Sequence, residues 1–166
     1  MRSEALDGVG SSPDSERWSV LYREAFPRVY RALVAALFDR DAALDALHDA
    51  FEEGLRRPPH DDHNIEGWLY RVALRRARRS WRRSARHVAL DFAPSAPDGV
   101  DRTLDRLEIG RLLAMLTDRQ REILVAHYFL GLRHEEIAGL LAIRPGTVAA
   151  TINQAIGKMR KENAHA

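Results

Sequence analysis

His60-Asp61-Asp62-His63 sets two imidazoles around two carboxylates, a donor set that suits zinc or nickel. No further ligand stands near it, so no metal site is expected there. The chain contains no cysteine, which excludes disulfides, thiolate metal centres and cysteine nucleophiles. It has no nucleophile elbow, no phosphate-binding P-loop and no His-Glu-x-x-His motif, and His134-Glu135-Glu136 reads as helix surface. The expectation is a protein with no catalytic residues and no cofactor. The rival is a hydrolase or metal-dependent enzyme hidden behind a helical pattern.

The chemistry that the sequence does offer is ionic. Residues 71–90 hold 8 arginines and no acid, while residues 1–70 hold 8 arginines against 14 acids and residues 91–166 are balanced. A block of charge inside a chain of net charge +2 is the footprint of a polyanion partner. Arg75, Arg76, Arg78, Arg79, Arg82 and Arg83 are the candidates for phosphate contact, with release of counterions as the driving force. The alternative is that they pair with the acidic first half. Trp81 among them either stacks on an unpaired base or anchors the helix. Asp45, Asp49, Glu52 and Glu53 form an acidic row on the preceding helix, read from the residues alone as solvated acids.

These groups need rigid elements to carry them. Apolar residues recur at three and four along the chain and no segment alternates like a strand, so the fold class is all-α. A first helix is expected over Glu16 to Phe38, with Pro27 kinking or restarting it. Asp39 to Asp41 starts a second that ends at Pro58-Pro59, and Asn64 caps a third that continues through the arginines. Residues 1–15 read as a disordered leader without the apolar core of a signal peptide, and residues 89–101 as a linker holding Pro94, Pro97 and Gly99. No apolar run is long enough to span a bilayer, so a cytoplasmic location without membrane insertion is expected.

Beyond the linker, four shorter helices are expected. Thr117 and Gln120 make a capping box, Gly131 a C-cap, and Pro145 the first turn of the last helix. A short helix, a tight turn and a longer helix is the helix-turn-helix layout. On the last helix Thr147 and Thr151 suit phosphate or a thymine methyl, and Asn153 and Gln154 suit adenine edges. Arg144 and Lys158 complete the candidate set at its two ends. The bland alternative is a hairpin that has lost DNA and binds protein.

Taken together, the acidic helix, Gly67-Trp68-Leu69-Tyr70, the arginine helix and the run Leu116 to Val148 resemble the extracytoplasmic-function group of bacterial sigma factors. The resemblance covers Tyr22 to Arg160. It implies two small helical domains, residues 16–88 and 102–163. The first would bind core RNA polymerase and open the minus-ten element, and the second would read the minus-thirty-five element. Asp45, His48, Asp49, Phe51 and Glu52 would dock on polymerase, and an anti-sigma factor is implied as a further partner. Promoter DNA is the nucleic acid. The rival within this resemblance is a sigma-like interaction protein that does not initiate transcription.

The chain departs from the family pattern at informative places. Leu74, Arg75 and Arg79 replace residues of the melting motif, Arg133 replaces a serine or threonine cap, and Ala142 replaces the turn glycine. The last helix has Ala149, Ala150 and Thr151 where the family carries a basic run.

Overall fold

The computed structural model describes residues 13–59, 64–84 and 104–164, with side chains described over 16–59, 64–80 and 108–164. Seven helices make up the described fold, and no strand occurs among these residues. They are α1 (Pro13–Leu37), α2 (Arg40–Arg56), α3 (Ile65–Ser84), α4 (Leu104–Ala114), α5 (Asp118–Tyr128), α6 (His134–Leu141) and α7 (Pro145–Asn163). The expected leader and linker lie largely outside the described residues, as does the His60–His63 cluster. Among the described residues no helix is long and apolar enough to cross a membrane.

α1 starts at Pro13 rather than Glu16 and continues through Pro27 without a restart. Proline there removes one amide donor from the ladder. Pro27 is exposed, so the carbonyl that loses its partner lies on the solvent side, where water can satisfy it. α2 begins where a cap permits: Asp39 Oδ1 accepts the Ala42 amide at 2.9 Å. Asn64 does the same for α3, its Oδ1 accepting from Gly67 N–H at 2.9 Å.

α1, α2 and α3 form a three-helix bundle whose centre is Val29, Leu33, Leu47 and Leu69. Burying each such side chain contributes about 1.5–3 kcal/mol. Ala32, Ala43, Ala50 and Ala73 are also fully buried, and their small side chains let the helix axes approach. Gly54 takes this furthest. A Cβ at Gly54 would lie 2.3 Å from the Trp18 ring, so the indole occupies the space that any side chain there would need.

The C-terminal helices build a second bundle, with α7 packed on α5 and α6 and reaching α4. α5 is its axis: Arg121 to Ala126 are all buried. A helix enclosed on every side needs neighbours on every side, and α1 supplies one of them. α3 likewise meets α6. The two halves therefore share one continuous apolar cluster instead of standing apart.

Candidate nucleic-acid interface

The arginine helix meets carboxylates from both halves of the protein. Arg75 and Arg76 converge on Glu53 of α2, donating to its two oxygens at 2.8 and 2.6 Å. The bond from Arg76 leads the effects that hold the Glu53 carboxyl below its ordinary range, against the opposing pull of burial. Arg78 forms an ion pair with Glu122 of α5, whose side chain is 3% exposed. Burial pushes Glu122 up, and the Arg78 guanidinium pulls it part of the way back. Three of the candidate phosphate ligands are thus engaged within the molecule. Glu53, placed by the sequence on an outward face, is instead the clasp between α2 and α3. Arg79 is exposed and has no ion pair among the described residues. Trp81, Arg82 and Arg83 belong to α3, but their side chains lie outside the described residues.

The acidic row divides. Asp45, His48, Asp49 and Glu52 are exposed on one flank of α2. His48 bonds the Tyr22 hydroxyl at 3.2 Å, and Glu52 pairs with Arg56 at 3.0 Å. Asp45, His48 and Asp49 share a groove of 330 Å³ with Arg76 and Ser80 of α3, so the acidic and basic candidates face one another across it. Phe51 does not belong with them. It is 5% exposed and packs edge-on to Trp18, with ring centroids 6.2 Å apart. Its place in the α2 apolar stripe makes it a core residue, which corrects its reading as a direct polymerase contact.

The helix-turn-helix has the expected form and one unexpected residue in its turn. Ala142 closes α6 at φ 53° and ψ 47°, and Ile143 N–H returns to the Ala138 carbonyl at 3.0 Å. This is the left-handed closure that glycine normally supplies. Arg133 cannot accept a cap bond, so Glu136 reaches back to the Arg133 amide at 2.7 Å and satisfies half of the missing box. The Thr117 and Gln120 box is complete, both bonds at 3.2 Å.

Arg144, the N-cap of α7, is exposed, as are Thr147, Asn153 and Gln154 on the helix, and Thr151 is half-buried with its hydroxyl donating to the Thr147 carbonyl at 2.7 Å. Val148, Ile152 and Ala155 seat the opposite face in the core. Lys158 stands apart from the recognition set, because its ammonium donates to the Met115 carbonyl at the end of α4. The exposed face is therefore polar and largely uncharged along its middle, with Arg160 at its far end.

Sequence reasoning missed the residues that join the halves. The buried Tyr70 hydroxyl donates to the Glu122 carbonyl at 3.1 Å, and burial raises its phenol well above the ordinary range. Arg28 donates to the carbonyls of Phe129 and Leu130 at 3.3 Å each, and pairs with Glu66 at 3.4 Å. Asn64 Nδ2 donates to Glu136 at 3.4 Å. Nothing in periodicity marks such residues, since their partners lie far along the chain.

The family model described as Sigma-70, region 4 matches residues 106–159. The chain is 31% identical over 156 residues to the ECF RNA polymerase sigma factor SigL of Mycobacterium tuberculosis, covering 78% of this chain and 88% of SigL. It is 28% identical over 159 residues to the RNA polymerase sigma-E factor of Streptomyces coelicolor, covering 93% of this chain and 88% of that protein. Among solved structures, the sigma factor RpoE from Bartonella quintana, in complex with the anti-sigma factor NepR, superposes with a TM-score of 0.75 at 17% identity, over 88% of this chain and 96% of that one. That last likeness is one of fold.

Proposed function

The chain belongs to the extracytoplasmic-function group of RNA polymerase sigma factors, and from that premise we propose how its surfaces divide the work. It binds core RNA polymerase and directs promoter-specific transcription initiation. In this reading residues 16–88 form the polymerase-binding and minus-ten domain, and residues 102–163 the minus-thirty-five domain, joined by a linker over 89–101. Asp45, His48, Asp49 and Glu52 dock on basic polymerase residues, where complementary charge sets register and on-rate. Arg79, with Trp81, Arg82 and Arg83 further along α3, holds the separated minus-ten strand by phosphate contact and stacking. Arg144, Thr147, Asn153 and Gln154 read the upstream element through amide and hydroxyl groups. The protein does no covalent chemistry and works in the cytoplasm. An anti-sigma factor is a natural partner, since the neighbouring RpoE structure is a complex with one.

The observation that supports this reading is the exposure of Asp45, His48, Asp49 and Glu52 along one flank of α2, with Arg79 exposed on the neighbouring α3. One specific feature favours a second reading, a sigma-like protein that binds partners without initiating. α7 has no Lys or Arg before Lys158, and Lys158 is engaged at Met115, so the face has little phosphate affinity. Run-off transcription with core polymerase and a genomic promoter library separates the two. Specific start sites support initiation. Stable polymerase binding with no transcript at any promoter favours the interaction protein.

A further inference from the structure

We propose that His127 and His134 form a binding site for a divalent transition-metal ion of the zinc, nickel and copper class, at the corner between α5 and α6. None of the residues assigned above to polymerase or DNA takes part in it.

Imidazole nitrogen is a preferred donor for these ions. His127 stands in the last turn of α5 and His134 opens α6, and their ring centroids lie 4.9 Å apart with the planes inclined at 51°. A nitrogen about 2.1 Å from an ion puts its ring centroid about 3.2 Å away, so two imidazoles on one ion have centroids about 5 Å apart. The two rings therefore already hold the spacing of a shared ion. The tautomer of His127 is also fixed. Its Nδ1 lies 2.7 Å from the Leu132 carbonyl, which can only accept, so Nδ1 carries the proton and Nε2 keeps its lone pair. A second ring nitrogen tied to a backbone carbonyl is how metal-ligating histidines are oriented. The His134 ring forms no hydrogen bond among the described residues, so its nitrogens are uncommitted. Both rings are half-buried, which leaves an ion a path from solvent.

The local charge tolerates a cation. His127 lies at the negative end of the α5 dipole, which favours one. The positive end of α6 opposes it, and Glu135, exposed beside His134 in the same first turn, offsets that effect. No third histidine or carboxylate joins the pair among the described residues, so water takes the remaining positions. An ion held by two protein ligands exchanges readily, and occupancy follows the free metal concentration. When occupied, the site ties the end of α5 to the first helix of the helix-turn-helix.

The chain holds 7 histidines, and His60 and His63 could compete for metal. The test therefore uses the full chain, without a histidine tag, in an H60Q/H63Q background. Calorimetric titration with zinc should show one ion per chain at micromolar affinity, and zinc should raise the melting temperature. Adding H134Q should weaken binding at least about tenfold and abolish the thermal shift, with the helical circular dichroism unchanged. In nitrogen-15 spectra of the zinc-loaded parent, His127 Nε2 should move while Nδ1 keeps its proton. Absence of saturable zinc binding to the parent overturns the proposal. So does affinity unchanged by H134Q, or a His127 Nε2 signal that zinc leaves in place.

Discussion

Arg121 Nε donates to the carbonyl oxygen of Ala36 at 2.6 Å, linking the first turn of α5 to the last turn of α1. The same guanidinium reaches the Leu116 carbonyl at 3.2 Å and Asp118 at 2.7 Å, and lies 4.7 Å from the centre of the Phe38 ring. Phe38 itself takes φ 54°, an unusual conformation for a bulky residue, as the chain turns from α1 into α2. One side chain thus closes the ends of two helices, α1 and α4.

Replacing Arg121 by alanine leaves these carbonyls buried without a donor. The expected loss is about 3 kcal/mol of unfolding free energy, measured by urea denaturation. R121K should recover only part of it, because an ammonium cannot span the same fork of acceptors. A loss no larger than that of an ordinary surface substitution would show that the carbonyls find other donors.

Gly54→Ala tests the Trp18 contact. In an open helix the change stabilises by about 1 kcal/mol. Here the new methyl collides with the indole, and destabilisation of about 2 kcal/mol is expected from overpacking. The midpoint of chemical denaturation reads the sign directly, and a stabilised variant would contradict the packing.

Ala142→Gly tests the turn of the helix-turn-helix. Alanine at φ 53° carries a steric cost that glycine lacks, so the variant should gain about 1 kcal/mol. A raised melting temperature is the expected result. Valine at the same position should lower it.

Glu53 and Glu122 should respond to pH in opposite senses. The folded protein holds Glu53 below its ordinary value of 4.5, so this group adds stability above 4.5 that is lost as pH falls through the lowered value. Glu122 is raised above 4.5, so its contribution is fully present below 4.5 and declines as pH rises through the raised value. Stability measured against pH for E53Q should lose part of the acid-side decline. E122Q should lose part of the decline on the rising side. Identical pH profiles for both variants and wild type would rule out either role.

What could be read from sequence was what is local. Asp39, Asn64 and the Thr117 to Gln120 box announce helix starts because each cap bond closes within three residues. The apolar spacing of three and four is local as well, and the residues that it lines up include Leu33, Leu47 and Leu69, all buried in the core. Phe51 was misassigned because a family position says nothing of which way its side chain points, and the apolar stripe of α2 turns it inward. Arg121 and Glu122 stayed hidden because charged residues at buried positions are legible only from their distant partners, here Ala36 and Arg78. The arginine block reads as a surface for a polyanion, with pairing to the acidic first half as the alternative; Glu53 realises that alternative in part, and Glu122 adds a partner that only folding brings near.

The enclosure of α5, buried from Arg121 to Ala126, bears on how the protein melts. Its walls come from both sides of the expected boundary, with α1 on one flank and α6 and α7 on others. Neither half can lose its structure without uncovering apolar surface of the other. Heat should therefore register one calorimetric transition spanning the whole chain, with the van't Hoff enthalpy matching the total, although the sequence divides into two modules.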